Sequence, residues 1–178
     1  MRLTDLIPAD SQVSNMTFPE LWTAIRTYAL CALLLAFATS RVSAETLDIK
    51  QYRGKVVLVD FWASWCEPCR HSFPWLNAIQ EKYAEQGLVI IGVNVDRERA
   101  EADRFLKDTP AQFKLIFDPS GQFATQFDVP GMPSSYVFGP DGTLIAKHIG
   151  FRESAKSERE AEIQRLLQQS SANSHSNP

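Results

Sequence analysis

Cys66 and Cys69 stand two residues apart in the stretch WASWCEPCRH (62–71), with Glu67 and Pro68 between them. A close thiol pair can exchange disulfides, carry a haem or supply half of a metal cage. Haem attachment needs a histidine directly after the second cysteine. Arg70 holds that place and His71 comes one position late. A structural zinc site needs four ligands, commonly from a second close pair. His148 and His175 are single and distant, so no second pair exists. A copper site on Cys66, Cys69 and His71 would suit soft ligands, and a copper-binding chaperone using this pair is the alternative to a redox centre. The redox reading is the sharper one, and it expects no cofactor and no metal.

The neighbours of the pair would tune it. A buried strand runs straight into the motif and a helix starts there, so the thiols lie at a helix N-terminus. Unpaired N–H groups and the helix dipole favour an anion at that point, which lowers a thiol's pKa and makes it a nucleophile. Pro68 fits the first helical turn, where a missing N–H costs nothing. Glu67 places a negative charge beside Cys66 and disfavours the thiolate. Arg70 and His71 push the other way. Disfavouring the reduced form makes a better reductant, with a potential closer to about -270 mV than to the about -120 mV of a strong dithiol oxidant. Asp60 lies in the middle of a strand otherwise built from Val, Leu, Phe and Trp. A carboxylate there is costly unless it is paired or functional. Desolvation is expected to raise its pKa, which would suit it to relay a proton to or from Cys69. Trp62 and Trp65 are expected to pack around the site.

The elements that must hold these residues can be read from periodicity. KVVLVDFWA (55–63) is an apolar, β-branched run, the pattern of a strand buried on both faces. Residues 66–86 form a helix with Phe73, Leu76, Ile79 and Tyr83 at helical spacing, a kink at Pro74 and a stop at Gly87. LVIIGVNVD (88–96) is a second buried strand. Strand, helix, strand with short joints gives a parallel βαβ unit. A charged helix over 97–108, anchored by Phe105 and Leu106, a short strand over 113–118, and a turn with a short helix over 119–129 follow. Residues 135–150 form a hairpin around Gly139-Pro140-Asp141-Gly142. An amphipathic helix over 153–169 closes the domain. The fold class is therefore α/β, a mixed central sheet with helices on both faces.

The chain has 178 residues and a formal net charge of -3, with no basic run, so nucleic acid is not an expected partner. TYALCALLLAFATS (27–40) is apolar, preceded by Arg26 and followed by VSA (42–44). That order is a secretory signal with a cut after Ala44, or an uncleaved anchor. The acidic stretch before Arg26 is unusual for a signal, and a start at Met16 would remove most of it. Three segments result: 1–44 as extension and signal or anchor, 45–169 as the folded domain, and 170–178 as a disordered tail. With 1–44 gone, Cys66 and Cys69 are the remaining cysteines. Such a short bridge gains little chain entropy, so its value is chemical.

VDFWASWCEPCRHSFP, the Gly-Met-Pro-Ser-Ser segment (131–135) and the hairpin resemble the thioredoxin superfamily. More narrowly they are similar to the exported TlpA/ResA/DsbE-type thiol–disulfide oxidoreductases, over roughly residues 47–168. The resemblance implies a thioredoxin-like fold with an αβ insertion after the second main strand. It implies that Cys66, the exposed member, forms the mixed disulfide and that buried Cys69 resolves it. It implies that Pro133, after Met132, is a cis-proline lying against the pair and leaving nearby backbone free for a substrate chain. Thioredoxins carry aspartate at the place of Asp60, where many TlpA-type proteins have asparagine. Trp65, Glu67, Pro68 and Met132 are the expected tuning or substrate-contact residues. Implied partners are disulfide-bearing exported proteins, including apocytochrome c or copper-protein assembly targets, and a membrane thiol transporter of the DsbD/CcdA type as electron donor. The implied location is periplasmic or extracytoplasmic, with membrane contact only through an uncleaved N-terminal segment. A thiol peroxidase on the same fold would need threonine three residues before the reactive cysteine, and Ala63 is there. An oxidant of the DsbA kind would be separated by its potential.

Overall fold

A computed structural model describes residues 47–175. The expected signal or anchor over 1–44 and Cys31 lie outside the described residues. A 3-10 helix at Ile49–Tyr52 leads into β1 (Val56–Trp62). Helix α1 (Glu67–Tyr83), β2 (Leu88–Asn94), α2 (Arg99–Asp108), β3 (Lys114–Phe117) and α3 (Gln122–Gln126) follow. Strands β4 (Ser134–Phe138) and β5 (Leu144–Ile149) and helix α4 (Lys156–His175) complete the chain.

The five strands lie in the order β3-β2-β1-β4-β5. β1 pairs parallel to β2 and antiparallel to β4. β2 pairs parallel to β3, and β4 antiparallel to β5. The sheet is thus mixed, with the βαβ unit and the hairpin where the sequence places them. β1 is central and buried along its whole length, as an uninterrupted apolar run requires.

Alternation along β1 divides the core. Val56, Leu58 and Trp62 pack with Phe73, Leu76 and Ile79 of α1, Phe105 of α2, and Ile163 and Leu167 of α4. Val57, Val59 and Phe61 face the other way, toward Ile91, Val93, Tyr136, Phe123 and Phe127. Both faces carry helices, but unequally. Three longer helices cover the first face, and the second is covered by short α3 and the 3-10 helix. Asp60, between Leu58 and Trp62 in the period-two pattern, belongs to the first face.

Helix α1 ends where Gly87 adopts φ 102° and donates to the Ala84 carbonyl at 3.0 Å. The hairpin turn is closed by Gly142 at φ 83°, with Gly139 N–H bonding the Thr143 carbonyl at 2.9 Å. One boundary differs from expectation. The closing helix does not end at Gln169 but continues to His175. No glycine or proline interrupts it before Pro178, and Ser170 Oγ donates to the Gly54 carbonyl at 3.3 Å. A polar sequence with nothing to break a helix can extend one that packing has already nucleated.

Candidate active site at the end of the central strand

β1 stops at Trp62 and α1 begins at Glu67, with Cys66 as N-cap in extended conformation. Pro68 falls in the first turn as expected. Cys66 and Cys69 form a disulfide, with Cα atoms 5.3 Å apart. The pair sits inside the apolar cluster of Trp62 and Phe73. Cys69 is fully buried, and Cys66 keeps only 3% of its surface. The expectation of an exposed Cys66 is therefore corrected for this oxidised form. The turn that makes Cys66 the N-cap folds its side chain toward the core.

The approach to the pair is fixed by a residue that the sequence reading missed. Asp96, just past β2 and buried, accepts from Ser64 N–H at 2.9 Å and from Ser64 Oγ at 3.0 Å. Asn94 Nδ2 donates to the same carboxylate at 2.8 Å. Val95 N–H bonds the Trp62 carbonyl at 3.0 Å, so both strand ends are tied together. The only trace in the sequence is an acidic residue directly after an apolar strand, which by itself reads as a turn.

Asp60 is 1% exposed, so it is not an exposed end-of-strand carboxylate. Its cross-strand partner on β4 is Ser135, whose Oγ donates to Asp60 Oδ1 at 2.6 Å. Among the described residues Oδ2 has no hydrogen-bond partner. Burial pushes its pKa from an ordinary 3.8 up to about 7, while Ser135 and the more distant Arg159 charge pull it down. On β2, Asp60 lies beside Gly92, which has no side chain to screen it. A Cβ there would come within 2.8 Å of Phe113 and 3.2 Å of Trp62 Nε1, so glycine is required by space.

The Met132–Pro133 peptide is cis. Pro133 precedes Ser134, which pairs with Phe61 near the end of β1, so the proline stands at the same end of the sheet as the disulfide. Pro133 itself is buried, and Met132 packs against the cluster that contains both cysteines. The Pro133 carbonyl accepts from Gly150 N–H at 2.8 Å.

Glu67 is exposed, and its carboxylate lies 3.7 Å from both Arg70 Nε and His71 Nε2. Its carboxylate is shared between the Arg70 guanidinium and the His71 ring on the same helix rather than aimed at Cys66 alone. Arg70 also stacks over Phe105, 4.6 Å from the ring centroid. Trp62 is fully buried between Phe73 and Phe105. Trp65, expected to pack like Trp62, instead is 70% exposed. It follows the strand by three residues, where the chain has already turned outward. An open groove of about 440 Å³ lies at the start of α1, lined by Glu67, Pro68, His71, Phe151 and Glu153. Among the described residues no cluster of three or more His, Cys, Asp or Glu could hold a metal ion.

Comparison with known proteins agrees with this architecture. The sequence pattern described as the AhpC/TSA family matches residues 33–147. The thiol–disulfide oxidoreductase ResA of Bacillus cereus is 28% identical over 130 residues, covering 73% of this chain and 74% of that protein. A crystal structure from Chlorobium tepidum, described as a thiol:disulfide interchange protein DsbE, is 43% identical with a TM-score of 0.64. The match covers 66% of this chain and 83% of that one. A secreted disulfide oxidoreductase from Mycobacterium tuberculosis shares the fold at 19% identity and TM-score 0.57, over 65% of this chain and 85% of its own. The enzyme is thus a thiol–disulfide oxidoreductase of the ResA and DsbE type.

Proposed function

The chain belongs to the AhpC/TSA family, and on that premise we propose that its Cys66–Cys69 pair works outside the cytoplasm as a reductant of disulfides in exported proteins. The observation that carries the reading is a disulfide within the first turn of α1, on the sheet face that also buries Asp60. The substrate class is the disulfide of apocytochrome c, reduced before haem attachment, or disulfides of copper-handling assembly proteins. A membrane thiol transporter returns the electrons.

In the reduced protein the Cys66 thiolate attacks one sulfur of the substrate disulfide. A mixed disulfide forms, and the other substrate sulfur leaves as a thiolate and takes a proton from solvent. Cys69 then gives its proton to the Asp60 carboxylate, directly or through water, and attacks Cys66. The Cys66–Cys69 bond forms and the second substrate sulfur departs. Two electrons have moved from the dithiol to the substrate. Asp60 suits the step because its pKa of about 7 lets it hold or release a proton near neutral pH. Met132, ahead of Pro133, offers the substrate chain a backbone edge, and the groove beside Glu67 and Phe151 receives the residues flanking its cysteine.

Export is supported by the charge, apolar run and small-residue site over 26–44. Ala63, three residues before Cys66, offers no hydroxyl for a peroxidase. The test is a Cys69→Ala trap in an export-competent host. Cys66 should then accumulate a mixed disulfide with its partner, resolved by reducing agent. Absence of any trapped partner would count against a protein disulfide substrate.

A further inference from the structure

We propose that Arg159 of α4 is a positioning residue for this site, holding the Pro133 segment through Gly150 and presenting a positive charge to Asp60. The proposal rests on the reading of Asp60 as proton acceptor and adds a residue remote from the motif in sequence.

Three observations place it. First, α4 lies along β1 on the face that buries Asp60, with Ile163 and Leu167 packed in one cluster with Val56 and Leu58. Its far end is fastened to the start of that strand by the Ser170 to Gly54 bond. From Ser170 back to Arg159 the helix rises about 16 Å at ~1.5 Å per residue. From Gly54 to Asp60 the strand advances about 20 Å at ~3.3 Å per residue. The two paths bring Arg159 to the Asp60 end of the sheet.

Second, Arg159 Nη2 donates to the Gly150 carbonyl at 2.9 Å. The same residue's N–H donates to the Pro133 carbonyl at 2.8 Å. The guanidinium is therefore linked to the Pro133 carbonyl through a single residue, Gly150. Third, among the described residues Arg159 has no carboxylate within ion-pair distance. Its field is felt at Asp60, where it favours the charged form. Burial lowers the Arg159 pKa, and Asp60 pulls it back up.

The other groups that face Asp60 do not supply this charge. Gly92 on β2 has no side chain, and Ser135 on β4 is a neutral donor. Cys69 on α1 is in the disulfide. His148 on β5, opposite Ser135, is engaged by Glu162 of α4 at 2.7 Å.

The experiment titrates Asp60 by carboxyl carbon NMR in the oxidised full chain, alongside amide exchange and the pH–rate profile of disulfide exchange. Arg159→Gln should raise the Asp60 midpoint by about half to one pH unit, since a favourable charge is lost. Gly150 amide exchange should quicken, and the rate profile should move with Asp60. Arg159→Lys should restore most of the midpoint. In an Asp60→Asn background, Arg159→Gln should leave the rate profile unmoved. An unchanged midpoint in folded Arg159→Gln overturns the charge role, and unchanged Gly150 exchange overturns the clamp. If Arg159→Gln fails to fold, an Arg159→Lys profile displaced as far as a neutral residue would displace it overturns the proposal as well. A midpoint that moves without the rate profile instead overturns Asp60 as proton acceptor, and leaves Arg159's hold on it demonstrated.

Discussion

Ser135 Oγ donates a 2.6 Å hydrogen bond to Asp60 Oδ1, while Oδ2 of the same buried carboxyl group has no hydrogen-bond partner among the described residues. One oxygen is satisfied by the neighbouring strand, and the other is left for a proton. A single neutral donor recovers only part of a buried carboxylate's solvation. That half-satisfaction is what keeps the group near neutrality instead of fully charged.

The first prediction concerns stability. Asp60 has a folded pKa of about 7 against an ordinary 3.8, so the folded state prefers the protonated form. Its contribution is intact below pH 4 and is lost as pH rises toward 7. Asp60→Asn should therefore gain on wild type through that window and level off above it, by at most about 4 kcal/mol. Urea unfolding of both oxidised proteins at pH 4, 6 and 8 measures the difference. A gap independent of pH would show that Asp60 does not titrate as described.

Catalysis should move the opposite way. Asp60→Asn should slow resolution of a Cys66 mixed disulfide at neutral pH by about a hundredfold, the lower end of the range for general acid–base catalysis. Stopped-flow measurement from pH 6 to 9 gives the profile. An identical rate throughout would remove Asp60 from the proton path.

A third expectation is the redox potential. The wild-type pair should lie below about -180 mV in glutathione or thioredoxin equilibration. Glu67→Gln should raise the potential, because the Cys66 thiolate loses a nearby negative charge. Since Glu67 is exposed and shared with Arg70 and His71, the change should be no more than about 30 mV, a tenfold change in the equilibrium constant. A fall in potential would reverse the sign argued for Glu67.

Asp96 should matter more than its distance from the motif suggests. Asp96→Ala leaves Ser64 and Asn94 without their acceptor and should cost about 2–4 kcal/mol in urea unfolding. The Cys66–Cys69 bond should also be reduced faster by dithiothreitol as the 63–65 turn loosens. Asp96→Asn keeps one acceptor oxygen and should fall between the two. Wild-type stability in Asp96→Ala would mean that the turn is held by something else.

Most of the fold was legible because its signals are local. The apolar run of β1, the spacing of Phe73, Leu76, Ile79 and Tyr83, and the glycines of the hairpin each act within a few residues. Asp60 stood out because a carboxylate in an apolar strand contradicts its surroundings. Asp96 did not, since its partner Ser64 lies 32 positions away and a post-strand aspartate looks like an ordinary turn residue. Arg159 was hidden for the same reason, as one charge among many on an amphipathic helix. The exposure of Trp65 was not legible because residue type says little about direction once a strand has ended. The end of α4 was not legible because a polar segment carries no packing signal of its own, and it is the anchored upstream turns that extend the helix through it.

Cys66 and Cys69 are joined within a single helical turn, whose backbone already links Cys69 N–H to the Cys66 carbonyl at 3.1 Å. Making or breaking the sulfur bond encloses no further segment of chain and need move no strand. The domain can thus store two electrons without storing a shape. A partner that must tell the full store from the empty one has little to read at a distance, and has to inspect the sulfurs and the charges beside them. Recognition and reaction are then obliged to share one patch of surface and one encounter.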